Sequence, residues 1–272
     1  MPELPEVETT RRALVPLLIG RRITKVIVRQ EKLRWPVPKE LIITTQGSLI
    51  QNVERRAKYL LFRIEPTKTI LFHLGMSGRL CVIPSATRAE KHDHIDIILD
   101  NNQVLRFTDP RRFGSCLFFN NHDFQHPLLD NLGPEPLGQG FTDSYLYKSI
   151  RGRKASIKSL LMNSQIVSGL GNIYVNEVLF KAGIRPLKSA EKISKKQCTL
   201  IVGAILSILN SALVAGGTSL RDFRNPKGEY GYFKQKLSVY GRQGKSCPMC
   251  NELIITERIG QRSTFYCKTC QT

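Results

Sequence analysis

The chain has 272 residues, enough for two ordinary domains or one and a half plus a small module, and 41% of them are hydrophobic, too many for wholesale disorder. Lysine and arginine number 41 against 22 acids, and the resulting net charge of +19 attracts polyanions, above all nucleic acid, whose neutralised phosphates release counterions. No run of about 18 apolar residues marks a membrane span, the acidic N-terminus lacks the pattern of a signal peptide, and seven cysteines without an export signal suit thiols in a reducing cytoplasm.

The opening "MPELPEVETTRR" predicts a helix over 4–15, with Pro5 tolerated in its first turn and Pro16 near its end. From about 22 to 120 the texture is β. "ITKVIVRQ", "KYLLFRIE", "TILFHLG", "HIDIILD", "QVLRFTD" and "SCLFF" are short runs rich in Ile, Leu, Val and Phe, and "DNNQ" joins the fourth to the fifth as a hairpin. Strands at this spacing favour a sandwich or barrel over a parallel sheet. The Gly- and Pro-rich "NLGPEPLGQG" (131–140) is the best domain boundary. Beyond it, "KASIKSLLM" and "NIYVNEVLFKAGI" read as two helices joined by "NSQIVSGLG". Ile201, Ala204, Ile205, Ile208, Leu209, Ala212 and Leu213 then trace one buried helical face, ended by Gly216-Gly217.

The strongest chemical signal is at the C-terminus. Cys247-Pro-Met-Cys250 and Cys267-Lys-Thr-Cys270 are two C-x2-C knuckles whose four thiolates complete the tetrahedron that zinc prefers. Four protein ligands leave no open position, so the ion is structural; a redox pair is the competing reading. "LIITER" and "STFYC" between the knuckles predict a hairpin that carries Arg258 and Arg262. Cys81, Cys116 and Cys198 lie among apolar neighbours and read as small core residues.

Other motifs are weaker alone. "SGLGNIY" (168–174) precedes a helix whose N–H groups can receive a phosphate, but an ordinary tight turn explains it equally well. Arg151, Arg153, Lys154 and Lys158 upstream form either a backbone clamp or a solvated face. "TDPRRFG" (108–114) is a β-turn with a core phenylalanine, or a wedge that fills the gap left by an extruded base while an arginine bonds the widowed partner. Met76 in "HLGMSG" (73–78) offers a second apolar finger. His92 and His94 in "KHDHID" lack a third metal ligand, so phosphate contact or simple exposure is expected of both.

Together these pieces resemble the formamidopyrimidine-DNA glycosylase family of bacterial base-excision repair. The match spans the chain: "PELPEVE" (2–8), "RRAKYL" around Lys58, "HLGMSG", "TDPRRFG", "GLGNIYVNE" (169–177), "VYGRQG" (239–244) and the cysteine motif. The resemblance implies an α+β protein with an N-terminal β-sandwich and flanking helices over 1–133. It further implies a helix–two-turn–helix domain with a lesion lid over 134–237 and a β-hairpin zinc finger over 238–272, with DNA between the two halves. It implies that Met1 is removed and that Pro2 attacks C1′ of the damaged nucleotide, forming a Schiff base that proceeds to β,δ-elimination. By motif position Glu3 is the general acid/base, Lys58 the proton donor for β-elimination, and Arg262 a participant in δ-elimination. DNA contacts carry over to His73, His92, Arg111, Arg153, Lys158, Asn172 and Arg262. Met76, Arg111 and Phe113 would fill the void, with Arg111 reading the orphan cytosine, and the lid would lie within 216–233. The implied partner is damaged double-stranded DNA, without a membrane, for a monomer associated with the nucleoid in the cytoplasm. Removal of oxidised pyrimidines, as in the sister endonuclease VIII class, is the nearest alternative. A non-catalytic DNA-binding relative is the other, and it would not need Pro2, Glu3 and Lys58 together.

Overall fold

The computed structural model describes residues 2–122, 125–217 and 237–272. Two compact units divide near His126. Of the described residues, 215–217 return to the first unit, and 127–214 with 237–272 form the second.

In the first unit, helix α1 (Leu4–Leu18) starts with a capping box in which the Glu6 carboxylate accepts the Glu3 N–H at 2.8 Å. Leu4, Val7, Leu14 and Leu18 fall on one buried face. The helix passes its expected end at 15 and carries Pro16 in its last turn. Proline forfeits one N–H there, yet the turn still closes through Ile19 N–H to the Val15 carbonyl at 3.2 Å.

Eight antiparallel strands follow, with a short helix α2 (Glu40–Thr44) among them. They are β1 (Ile23–Val28), β2 (Ile50–Arg56), β3 (Tyr59–Ile64), β4 (Lys68–His73), β5 (Arg79–Pro84), β6 (Asp93–Leu99), β7 (Gln103–Thr108) and β8 (Ser115–Phe119). Two four-stranded sheets run in the orders β1-β6-β7-β5 and β2-β3-β4-β8. The six anticipated runs are all strands, and "DNNQ" is the β6–β7 turn, with Asn102 at φ +59°. The two missed strands, β2 and β5, are both at sheet edges. An edge strand tolerates charge and proline. Only Ile50 and Val53 of β2, and Leu80 of β5, are buried; β2 has no apolar run, and that of β5 is four residues long, Leu80 to Ile83, closed by Pro84. One apolar cluster takes side chains from both sheets, with the Phe72 and Phe107 rings 5.4 Å apart across the layer. The unit is a β-sandwich.

The second unit contains α3 (Pro127–Asp130), α4 (Asp143–Ile150), α5 (Ile157–Leu161), α6 (Asn172–Lys181), α7 (Lys195–Val214) and the antiparallel pair β9 (Ile255–Ile259) and β10 (Arg262–Tyr266). Side-chain caps set two helix starts: Thr142 accepts the Tyr145 N–H at 3.1 Å and Ser156 the Ser159 N–H at 3.2 Å. Helix α7 is long and apolar enough to cross a bilayer by length and composition, although polar residues interrupt its apolar run. It packs against α4 and α6 through the Ile201, Ala204, Ile205, Ile208, Leu209 and Ala212 face, as a core helix does.

Candidate active site and nucleic-acid interface

Pro2 and Glu3 are buried at the head of α1. Further along the helix, Glu8 bonds Arg11 and Arg12 at 2.9 Å and Arg55 at 3.1 Å. Burial alone would raise the Glu8 pKa. Hydrogen bonds from Arg11 and Arg12, with the charges of Arg11 and Arg55, outweigh it and hold the carboxyl at about 2. Arg55 also donates to the Ala57 carbonyl at 2.9 Å. It therefore ties α1, which presents Pro2 and Glu3, to the β2–β3 turn that presents Lys58. Ala57 takes φ +53° to make that two-residue turn.

Lys58 is half-buried beside His73, the last residue of β4. Burial, then the positive charges of Lys58 and Arg34, depress the His73 pKa to about 4, so the ring is neutral near pH 7. Its Nδ1 accepts the Gly75 N–H at 3.1 Å, which leaves the ring proton on Nε2 as a donor. The Tyr59 ring lies 4.9 Å from His73 and, with Arg34, completes the cluster.

Beyond His73, the 73–78 turn carries a half-buried Met76, and the 109–114 turn carries Arg111 and Phe113. Phe113 is 46% exposed, which removes the core-phenylalanine reading of that motif. The Arg111 guanidinium stands 4.9 Å from the Phe113 ring centroid, so the two project together. His92 is half-buried. His94 corrects the expectation of exposure: it is buried, and its Nε2 donates to the Asp109 carbonyl at 2.7 Å.

In the second unit Arg153 is exposed between α4 and α5. Asn172 opens α6 behind Gly171, and its Nδ2 donates to the Ser263 carbonyl at 2.9 Å. Arg262 is exposed at the start of β10. Lys158 does not lie on a solvated helix face, the alternative to the backbone clamp. It is 1% exposed, and its Nζ donates to Ser263 O at 3.0 Å and Thr264 Oγ1 at 2.7 Å. Burial and the nearby Arg262 charge lower its pKa to about 8. Asn176 adds a third link, its Oδ1 accepting the Phe265 N–H at 2.8 Å. The anticipated lid falls outside the described residues from 218 onward.

The Sγ atoms of Cys247, Cys250, Cys267 and Cys270 all lie within 4.8 Å of one another, with separations of 3.8 and 3.5 Å for two pairs. Thiolates about 2.3 Å from one zinc stand about 3.8 Å apart in a tetrahedron. The donor set and spacing fit one structural zinc, and four converging thiols displace the redox-pair reading. Phe180, Val239 and Ile254 pack around the cluster. The Glu177 carboxylate docks the approaching turn by accepting the N–H groups of Ser238, Val239 and Tyr240 at 2.8 to 2.9 Å.

Residues 1–116 match the formamidopyrimidine-DNA glycosylase N-terminal domain, 132–224 its H2TH domain, and 244–272 a zinc finger found in FPG and IleRS. A formamidopyrimidine-DNA glycosylase of Shewanella amazonensis is 51% identical over 100% of both chains. The chain belongs to the formamidopyrimidine-DNA glycosylase family. Among solved structures it is similar to a Lactococcus lactis FPG mutant in complex with Fapy-dG containing DNA, at TM-score 0.93 and 32% identity over 99% of each chain. It is also similar to the wild-type Lactococcus lactis protein in complex with DNA containing an oxidised pyrimidine, at TM-score 0.91 and 32% identity over 99% of each chain.

Within this family member the motif residues fall into two sets. The first unit holds Pro2, Glu3, Lys58, His73, Met76, His92, Arg111 and Phe113, and the second holds Arg153, Lys158, Asn172, Arg262 and the cysteines. Three residues with a bearing on these sets escaped the sequence reading. Arg34 reaches the His73 cluster from the loop after β1, where "LRWP", an arginine and an exposed tryptophan ahead of a proline, was the available signal. Asn176 and Glu177 sit inside an apolar helix, and buried polar residues there announce bonds to another segment.

Proposed function

We propose that Pro2, freed of Met1, is the nucleophile of this enzyme and that Glu3, Lys58 and Arg262 serve the proton transfers around it. The chain is a DNA glycosylase and abasic-site lyase that excises oxidised purines, 8-oxoguanine and formamidopyrimidines, in base-excision repair. The observation that carries the assignment of Pro2 is its placement, buried beside a carboxylate at the start of a helix.

A free α-amine has a pKa of about 7.7–8.0, so a usable neutral fraction exists at pH 7. The positive end of the α1 dipole disfavours the ammonium further. The neutral amine attacks C1′ as the glycosidic bond breaks and the base departs with a proton. The proton that the attacking amine then loses passes through Glu3 to O4′, so the C1′–O4′ bond opens and the nitrogen lone pair forms the iminium. That iminium acidifies the neighbouring C2′–H. Loss of that proton expels the 3′ phosphate, assisted by Lys58, and the second elimination expels the 5′ phosphate near Arg262.

Neutral His73, exposed Arg153, Asn172 and Arg262 contact phosphates, with His92 beside them. Lys158 acts on DNA at one remove, through the hairpin that it clamps. Met76, Arg111 and Phe113 enter the space of the extruded nucleotide, whose unstacking costs a few kcal/mol, and Arg111 reads the base opposite. The functional divisions are 1–133, 134–237 and 238–272, in a monomer that works on chromosomal DNA in a bacterial cytoplasm.

Cleavage of duplexes carrying 8-oxoguanine or an oxidised pyrimidine, each opposite every normal base, tests the reading. Preferential cleavage at 8-oxoguanine opposite cytosine is expected. The oxidised-pyrimidine complex of the similar Lactococcus lactis protein favours a second, overlapping substrate class, and stronger cleavage there would put that class first. Binding without any cleavage would leave a DNA-binding protein.

A further inference from the structure

Asp109 is fully buried within "TDPRRFG", and among the described residues the bonds its carboxylate accepts come from a hydroxyl and backbone N–H groups. Its Oδ1 accepts the Ser77 hydroxyl at 2.6 Å, and its Oδ2 accepts the Gly114 N–H at 2.7 Å. The Arg111 N–H is shared between Ser77 Oγ at 3.2 Å and Asp109 Oδ1 at 3.3 Å. Its own main chain is held too: Asp109 N–H donates to His92 O at 3.0 Å, and its carbonyl accepts His94 Nε2 at 2.7 Å and Arg112 N–H at 3.2 Å.

These bonds join two turns that are distant in sequence. Ser77 directly follows Met76, and Gly114 directly follows Phe113. The backbones meet without a spacer, since a Cβ on Gly75 would lie 2.4 Å from the Gly114 nitrogen and one on Gly114 would lie 2.8 Å from the His73 carbonyl. Arg112 takes φ +56°, which tightens the turn between Arg111 and Phe113. The geometry points to Asp109 as the positioning residue for opposite-base recognition: through Ser77 and Gly114 it fastens the 73–78 and 109–114 turns, so that Met76, Arg111 and Phe113 enter DNA as one rigid unit. This inference rests on the void-filling role given to those three residues above. It adds the device that sets their mutual geometry, at a residue that touches neither DNA nor the reacting atoms.

Two variants separate fastening from folding. Asp109→Asn replaces one acceptor oxygen by a donor: with the amide oxygen on Gly114, the amide N–H faces the Arg111 N–H and the Ser77 hydroxyl must turn from donor to acceptor. Ser77→Ala removes only the bridge between the turns and leaves the Gly114 bond in place. Both should keep borohydride trapping on a single-stranded abasic sugar, which needs no wedge. On duplex DNA the preference for cytosine opposite 8-oxoguanine should fall about tenfold in Asp109→Asn and a few-fold in Ser77→Ala, within the range of one lost base contact. Neither should lower that preference further in an Arg111→Ala background, because the residues act as one unit. A fluorescent base analogue opposite the lesion should report unstacking on binding in the wild type, and less of it in both variants. That signal does not depend on excision, so it tests the fastening even if the assigned chemistry fails. Unchanged base preference and fluorescence in Ser77→Ala, or losses additive with Arg111→Ala, would overturn the proposal. Equal losses against all four opposite bases would reduce Asp109 to a folding residue and overturn it as well.

Discussion

The sandwich and the cysteine-bearing hairpin both hold site side chains in place, but different forces stabilise them. In the sandwich, Lys58, His73, Arg111 and Phe113 lie on turns or strand ends above an apolar cluster supplied by both sheets. The hairpin has Phe180, Val239 and Ile254 around two buried cysteines. A buried apolar side chain contributes about 1.5–3 kcal/mol, whereas a structural zinc contributes about 10–16 kcal/mol. The metal therefore decides whether the hairpin folds, and the bonds from Lys158, Asn172 and Asn176 decide where Arg262 is carried. The comparison teaches that one region stands on its own core while the other is conditional on its ion.

The largest expected effect breaks the conditional region alone. Cys250→Ser should abolish metal retention and DNA binding while the sandwich keeps its cooperative unfolding. Metal analysis, a DNA-binding titration and circular dichroism check this. Full DNA affinity in zinc-free protein would contradict it.

A second variant leaves both regions folded and removes one proton carrier. Glu3→Gln keeps the shape of the helix cap, so lesion binding should persist while base excision falls about 10²–10⁴-fold, the usual worth of a general acid/base. Single-turnover kinetics measures it, and wild-type excision would remove Glu3 from the chemistry.

The smallest effect concerns the sandwich and pH. His73 has a folded pKa of about 4 against an ordinary value near 6.5, so the unfolded chain binds its proton first. Its stabilising contribution is complete above about pH 6.5 and is lost as pH falls through 4. Glu8, held at about 2, loses its contribution only at still lower pH. Denaturant midpoints at pH 7 and pH 4.5 should therefore fall less in His73→Gln than in the wild type. Equal falls would show that His73 carries no such linkage.

What was legible in the sequence follows the range of the interaction. The cysteine knuckles are local, and their spacing alone announced the metal. The four central strands and the edge strands β1 and β8 read as apolar runs, whereas edge strand β2 is mostly polar and β5 has only the short, half-exposed run Leu80 to Ile83 before Pro84. The start of α1 at residue 4, with Pro5 in its first turn, was legible, whereas its end lies beyond 15 because a proline is tolerated in a last turn that still closes. Burial of Lys158 is a tertiary fact: its acceptors are 105 and 106 residues away. Its neighbours Arg153 and Lys154 are exposed, and composition alone, which left a backbone clamp and a solvated face open for all of them, does not separate the buried lysine from the exposed ones. The exposure of Phe113 likewise depends on how its turn leaves the sheet, which no local pattern reports.

The assignment of Pro2 as nucleophile is the centre of the account, and trapping tests it most directly. Borohydride added during turnover on an 8-oxoguanine duplex should reduce the iminium and join protein to DNA. Peptide mapping should place the adduct on residue 2 of protein that has lost Met1, since a proline still acylated by methionine has no nucleophilic lone pair. An adduct on Lys58, or efficient trapping by protein that retains Met1, would contradict the assignment.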